Sequence, residues 1–342
     1  MGRTLAWLGI AVLLAVAGPQ TRSAASPAPQ AQAAPLDRAE RAATVAQLGE
    51  ALHAMYLKPE VGQRYAFALQ SNLAAGAYED LTEPRAFGER LTKDLQSVAP
   101  DVHLRLLPNE VFEHPPEEAG GGTSRFPEGI ADMRMMGRVA YLRFTAFPHD
   151  PRTAPAARAF LIAHAGDAKA VVIDARELPG GGLEVMDAML PLFFSRPTLL
   201  MRLETRAAGD KESPFPDGPT LVRREGRPGY VTRDHVVAPD PSETRLRRTP
   251  LYYLVSGKTA SAGEHLALAL KRTKRATLIG ETTRGAGHYV ALAPVGTSLT
   301  ALIPVGRSFD PDTGWDWDGK GVAPDVAVPA DDALQAALSR IG

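Results

Sequence analysis

Cysteine is absent from the 342 residues of this sequence. Its absence excludes disulfides, thiolate nucleophiles, zinc ribbons and iron–sulfur clusters, so a covalent nucleophile would have to be an oxygen or an amine. An excess of charge of one sign is also missing, since 38 Lys and Arg stand against 39 Asp and Glu. The net charge of −1 therefore gives no overall attraction for nucleic acid or an anionic membrane surface, and nucleic acid is not expected as a partner.

Metal ligands are sparse as well. The eight histidines are scattered along the chain, and no two of them have the three-to-five-residue spacing that is typical of paired ligands. The sequence therefore predicts no metal site, and no cofactor is expected.

The first 35 residues have a pattern that is typical of exported proteins. Residues 1–25 combine Arg3, an apolar run from Leu5 to Ala17 and small residues at 23–25, which predicts a secretory signal peptide. An uncleaved membrane anchor is the alternative, although the apolar run is shorter than a spanning helix needs. Residues 26–35 are rich in Pro, Ala and Gln and predict a tether. We expect the chain to be exported, to the periplasm or out of the cell.

The remainder divides into two differently patterned parts. Apolar residues recur at helical spacing up to residue 98 and predict three amphipathic helices in an N-terminal helical domain, residues 36–107. Residues 108–129 are rich in Pro, Glu and Gly and predict a connecting loop. Residues 130–342 alternate short apolar runs with helical stretches, which predicts an α/β core. The predicted strands are 139–144, 169–174, 199–205, 251–255, 276–279 and 299–304, and the predicted helices are 153–165, 183–194 and 262–273.

Ser261 is the first candidate for chemistry. It follows a predicted strand and begins a predicted helix, where free backbone N–H groups and the helix dipole can stabilise an oxyanion. The same spacing to Glu264 is also a capping box, in which the serine only closes a helix end. A Gly-x-Ser-x-Gly elbow is excluded because position 259 is Thr259. From this segment alone, both the nucleophile and the cap remain open.

The glycines at 180–182 form the second candidate, again between a strand and a helix. Glycine lets the backbone approach a substrate closely and point N–H groups at an anion or a carbonyl oxygen. The segment lacks the patterns of dinucleotide-binding and P-loop folds. It predicts an oxyanion hole, with an ordinary glycine-rich turn as the alternative.

Four segments in this order resemble the tail-specific, or C-terminal-processing, serine peptidases. They are Asp174-Ala175-Arg176 with Gly180-Gly181, then Ser261-Ala262-Gly263-Glu264, then Gly280-Glu281-Thr282-Thr283, and finally residues 314–325. The resemblance covers about residues 130–330. It implies a crotonase/ClpP-like peptidase core of the α/β class.

Two differences from the processing peptidases indicate which branch of the family this chain resembles. The catalytic lysine of the processing peptidases falls on Ala286, and the stretch between Leu107 and Val139 is too short for their PDZ domain. The chain is therefore similar to the branch that contains tricorn protease and the repeats of interphotoreceptor retinoid-binding protein. Those repeats carry a small helical domain ahead of the core, as residues 36–107 are predicted to do.

This branch implies a role for each matching residue. Ser261 would be the nucleophile, His103 the base, and Asp318 the late acid where the family has Glu. The remaining candidates are the oxyanion donors Gly180, Gly181 and Ala262, the supporting acids Glu264 and Glu281, and a rival base, His288.

Two hypotheses for function follow. The first is an exported serine-type endopeptidase that hydrolyses a peptide or protein substrate. The second is an inactive member that binds an apolar small ligand on the same scaffold, because Asp318 is shorter than Glu and Leu178 replaces the usual Asn. The sequence does not predict the oligomeric state.

Overall fold

The structure is a computed structural model that describes residues 35–113 and 125–341. The predicted signal peptide and nearly all of the tether lie outside the described residues. Within the two described ranges, no helix has the length and apolar character required to cross a bilayer.

Three helices form the N-terminal domain: α1 (Arg38–Met55), α2 (Pro59–Ala74) and α3 (Pro84–Val98). The Asp37 side chain caps α1 by accepting from the Glu40 N–H. Pro59 and Pro84 occupy the first turn of α2 and α3, where a missing N–H costs nothing. The predicted helices are confirmed.

The boundary predicted at residue 107 falls inside a strand. β1 (Arg105–Pro108) pairs antiparallel with β11 (Leu299–Phe309) and is thus part of a sheet of the core. A short helix, α4 (Glu110–Glu113), follows, so residues 108–113 are not the predicted loop. The middle of that loop, residues 114–124, lies outside the described residues.

The core contains two six-stranded sheets. The antiparallel sheet has the order β1-β11-β5-β7-β6, with β10 also paired to β11. Its other strands are β5 (Thr198–Arg206), β6 (Leu221–Arg224), β7 (Tyr230–Val237) and β10 (His288–Val295).

The second sheet has the order β12-β9-β8-β4-β3-β2 and is parallel except for the β2–β3 pair. Its strands are β2 (Ile130–Met136), β3 (Val139–Phe144), β4 (Ala170–Asp174), β8 (Leu251–Val255), β9 (Thr277–Gly280) and β12 (Val326–Ala327). Single helices join β3 to β4 and β8 to β9, as parallel neighbours require. The helices of the core are α5 (Thr153–His164), α6 (Glu184–Met189), α7 (Ala262–Arg272) and α8 (Ala333–Ile341).

This topology places the predicted motifs at one edge of the parallel sheet. The glycines at 180–182 follow β4, Ser261 follows β8 and Glu281 follows β9. Parallel strands end at the same edge, which is where open α/β sheets bind their ligands. The mixed α/β core preceded by helices agrees with the predicted fold class.

One hydrophobic core runs from the helical domain into the sheets. It includes Leu48 of α1, Leu91 of α3 and Leu299 of β11, all almost completely buried. Because both units share these apolar contacts, we expect them to unfold together.

Leu91→Ala should therefore lower the free energy of unfolding of the whole chain by about 2–5 kcal/mol, through lost burial and a cavity. Calorimetry should show one transition at a reduced temperature. Phe67→Ala is the control, since Phe67 is 76% exposed on α2 and its truncation should change stability by less than about 0.5 kcal/mol. Two separate transitions, with only one of them shifted by Leu91→Ala, would contradict the shared core.

Candidate active site

Ser261 has an unusual backbone conformation, with φ 51° and ψ −117°, directly before α7. A positive φ at a residue other than glycine costs of order 1–3 kcal/mol and persists only where neighbours enforce it. The strand–turn–helix geometry is that of a nucleophile elbow, which presents a serine at a helix N-terminus. It occurs here although Thr259 occupies the position where the elbow pattern has glycine.

Glu264, in the first turn of α7, has a fully buried carboxylate that accepts four hydrogen bonds. One comes from the Ser261 N–H at 2.9 Å, which confirms the predicted contact between the glutamate and the start of the helix. The others come from Thr283 Oγ1 at 2.6 Å, Gly285 N at 2.6 Å and Ala286 N at 2.8 Å. Burial raises the pKa of Glu264 even though these donors oppose the rise.

One of the predicted oxyanion glycines, Gly180, lies against Ser261, and Gly181 lies against Phe147. Gly180 and Gly181 have φ 132° and 131°, and a Cβ atom on Gly180 would be only 2.8 Å from the Ser261 Cβ. On Gly181 it would overlap the Phe147 carbonyl oxygen, so both positions need glycine. In the described part of the chain, the N–H groups of Gly180, Gly181 and Ala262 have no acceptor. They are therefore free to bind a developing oxyanion.

A second cluster joins His103, His288 and Asp318 around a residue that the sequence did not single out, Asp101. Asp101 Oδ2 lies 2.8 Å from His288 Nδ1, and Asp101 Oδ1 lies 3.9 Å from His103 Nδ1. Asp318 Oδ2 lies 3.5 Å from His288 Nε2. Three of the predicted residues are thus brought together from three separate segments of the chain.

Asp101 is held from both parts of the molecule. It accepts from Tyr56 Oη at 2.9 Å, at the end of α1, and from its neighbour His103 N at 3.0 Å. Burial would raise the pKa of Asp101, but the hydrogen bond and charge of His288 outweigh burial and lower it to about 2. An Asp two residues before a His is a local turn pattern that could have drawn attention to this residue.

The pKa values of the two histidines are shifted in opposite directions. Burial would lower the pKa of His288, but the hydrogen bond and charge of Asp101 raise it above the ordinary value. Burial lowers the pKa of His103 to about 4, against the opposing charge of Asp101, so this imidazole is neutral at pH 7. Burial raises the pKa of Asp318.

The loop at residues 283–287 connects the two clusters. Glu264 binds its Gly285 and Ala286 N–H groups, and Asp318 Oδ1 accepts from Gly287 N at 3.1 Å. Among the described residues, no hydrogen bond joins Ser261 directly to either histidine. Glu281 is not part of either cluster, because its carboxylate accepts from the Ala330 N–H at 3.1 Å.

Comparison with known families decides the relationship of this chain. Residues 138–328, more than half of the sequence, match the model of Peptidase family S41. The chain belongs to peptidase family S41. Residues 30–139 match the N-terminal domain of Peptidase_S41 in eukaryotic IRBP, the interphotoreceptor retinoid-binding protein. The predicted resemblance is therefore confirmed for the core and for the N-terminal domain.

Solved structures share the fold of this S41 chain at low sequence identity. A putative peptidase from Parabacteroides merdae is 15% identical with a TM-score of 0.61, over 88% of this chain and 96% of its own. The photosystem II D1 C-terminal processing protease is 16% identical with a TM-score of 0.56, over 85% and 94%. A lipoprotein from Streptococcus agalactiae is 12% identical with a TM-score of 0.54, over 89% and 95%.

Ala286 stands in this S41 chain where the resemblance expects a catalytic lysine. It is buried, its N–H donates to Glu264, and its carbonyl accepts from Trp317 Nε1 at 3.1 Å. The position therefore holds the loop through its backbone and offers no amine to Ser261.

Glu264→Gln should lower the free energy of unfolding by about 1–3 kcal/mol, because an amide NH₂ would face backbone donors and leave one of them unpaired. Urea denaturation measures the change. Glu89→Gln, at an exposed position of α3, should have no measurable effect. Equal stability of Glu264→Gln and the native chain would contradict the role given to this carboxylate.

Asp101→Asn should lower the pKa of His288, because the negative charge that stabilises its imidazolium is removed. In the native chain the stabilisation by His288 is fully present below the unfolded pKa of about 6.5 and is lost as pH rises through the raised folded pKa. The stability of the Asp101→Asn variant should therefore lack this pH dependence. NMR titration of the His288 ring measures the shift, and an unchanged midpoint would refute the pairing.

Proposed function

We propose that this chain is an exported serine endopeptidase in which Ser261 attacks the carbonyl carbon of a peptide bond. The observation that carries the proposal is the positive φ of Ser261 at the start of α7, against Gly180. Membership of family S41 supports a serine-type peptidase in general. The composition of residues 1–25 supports export.

His103 is the proposed general base. Its ring is neutral at pH 7 and its side chain is 20% exposed, so it can accept a proton and is open to solvent. The proposal requires that the ring come within hydrogen-bond distance of the Ser261 hydroxyl when substrate is bound. His288 is less suited, because Asp101 and Asp318 face its two ring nitrogens. The Asp101 carboxylate, 3.9 Å from His103 Nδ1, would stabilise the His103 imidazolium by its charge.

The proposed reaction has two steps. As the Ser261 oxygen bonds to the carbonyl carbon, its proton moves to His103, and the free N–H groups of Gly180 and Ala262 bind the oxyanion. His103 then protonates the leaving amine, the peptide C–N bond breaks, and an acyl-enzyme remains on Ser261. In the second step water attacks the ester carbonyl carbon, with His103 again accepting the proton. The C–O bond to Ser261 then breaks as His103 returns a proton to the serine oxygen, and the product carboxylic acid leaves. Asp318 supports this arrangement by holding the Gly287 N–H and facing His288.

A second candidate function rests on a separate cavity of about 250 Å³ beside α6, β5 and β7. Aliphatic side chains and prolines form most of its wall, among them Leu190, Pro191, Leu200 and Val237. Such a lining suits a small apolar ligand. This cavity is the observation that favours an apolar-binding member of the family.

Ser261→Ala should abolish labelling by a fluorophosphonate probe, because the probe forms a covalent bond only with an activated serine oxygen. Labelling is measured by mass spectrometry of the intact protein. Ser339→Ala, on α8, is the matched control and should label like the native chain. Absence of labelling in the native chain, together with saturable binding of an apolar dye, would replace the peptidase proposal by the apolar-binding one.

His103→Ala should reduce the rate of labelling by about 100-fold or more, the usual effect of losing a general base. His288→Ala should retain more of the rate if it still folds, which circular dichroism checks. Full activity in His103→Ala, with none in a folded His288→Ala, would reverse the assignment of the base.

A further inference from the structure

A cavity of about 380 Å³ lies at the edge of the parallel sheet opposite Ser261. It is bounded by the start of β8, the C-terminal end of α7 and the turn into β9. Because Ser261 follows the other end of β8, the cavity is remote from the candidate active site. The eleven residues of α7, about 16 Å of helix, separate the two.

The cavity is strongly positive. Arg248, Lys271, Lys274 and Arg275 line it, and Asp325 is the single carboxylate among its lining residues. Asp325 is already paired, since its Oδ1 lies 3.3 Å from Lys271 Nζ. Lys271 also donates to the Ala323 carbonyl at 2.6 Å. Lys271 and Asp325 therefore neutralise each other, and three cations remain without a counter-charge.

The Arg275 side chain lines this cavity and is held in place by hydrogen bonds. Its guanidinium donates to the carbonyl oxygens of Phe193, Leu246 and Thr249 at 2.6–2.9 Å. These acceptors are neutral, and burial lowers the pKa of Arg275 to about 10. A partly buried cation with only neutral acceptors is electrostatically under-compensated, so an incoming anion gains more there than it would in water.

Lys274 and Arg248 are exposed cations at the mouth of the cavity. Within residues 35–113 and 125–341, neither side chain makes a hydrogen bond or an ion pair. Lys274 has φ 53° and lies two residues beyond the end of α7. Its N–H donates to the Lys271 carbonyl, and the Arg275 N–H donates to the Leu270 carbonyl. Such helix ends favour glycine. A lysine at this position bears a conformational cost and puts an ammonium group beside the cavity.

We propose that this basic cavity binds a phosphate-type oxyanion, carried either by a small soluble molecule or by the headgroup of an anionic phospholipid. Arg275 supplies the Nη1 group that its three carbonyl partners leave unused, and the exposed Arg248 and Lys274 close over the anion from the mouth of the cavity. A phosphate dianion would neutralise most of the uncompensated charge, and guanidinium and ammonium groups are its usual partners. The site is independent of the peptidase proposal, which concerns the other end of α7.

Lys274→Gly tests the proposal without endangering the fold, because glycine adopts φ 53° more readily than lysine. Calorimetric titration of the full chain with pyrophosphate at low ionic strength should show saturable binding that Lys274→Gly weakens about tenfold. Lys93→Ala removes an exposed charge from α3 and should bind within about twofold of the native chain. Absence of saturable binding, or equal affinity in Lys274→Gly, would overturn the proposal.

Sedimentation with vesicles separates the two sources of the phosphate group. Binding to phosphatidylcholine vesicles that contain phosphatidic acid, competed by pyrophosphate and lost in Lys274→Gly, would support the lipid headgroup. Binding of pyrophosphate alone would support a soluble ligand. Vesicle binding that Lys274→Gly leaves unchanged would count against the site.

Discussion

The buried carboxylate of Glu264 is the constraint on which the site depends. A charge removed from water is tolerated only when donors surround it, and here the donors come from Ser261, Thr283, Gly285 and Ala286. The hydrogen bonds to this one carboxylate thus fix both the turn that presents Ser261 and the loop that leads to His288. The strained φ of Ser261 persists because its N–H is held by this carboxylate.

Asp101 makes the helical domain part of the site. It accepts from Tyr56 at the end of α1 and from His288 at the start of β10, so one carboxylate ties the domain to the core. His103 lies two residues further along, where the chain leaves the helices and enters β1. Docking of the domain therefore sets the position of the proposed base, which agrees with a hydrophobic core that both parts share.

Features of the site that depend on residues close together in the sequence could be predicted from the sequence. The contact between Ser261 and Glu264 spans one helical turn, and the glycines follow a strand within a few residues. The pairing of Asp101 with His288 depends on folding and leaves no local trace. The sequence pattern does not locate β7 because Arg233, Asp234 and His235 look exposed, yet all three are buried. Ion pairs with Asp210 and Arg202 compensate the charges of Arg233 and Asp234, and polarity therefore concealed the strand.

A residue with a strained backbone conformation lies at each end of the buried helix α7. In the described part of the chain, Ser261 and Lys274 are the two residues other than glycine with positive φ, and they flank this helix. Residues 262–270 are all buried, which prevents the helix from shifting to relax either end. At the N-terminal end, burial of Glu264 enforces the conformation of Ser261. At the other end, the hydrogen bond from Arg275 N to the Leu270 carbonyl does the same for Lys274. A helix that cannot move can therefore hold a serine at one end and a lysine at the other in backbone conformations that each residue alone would avoid.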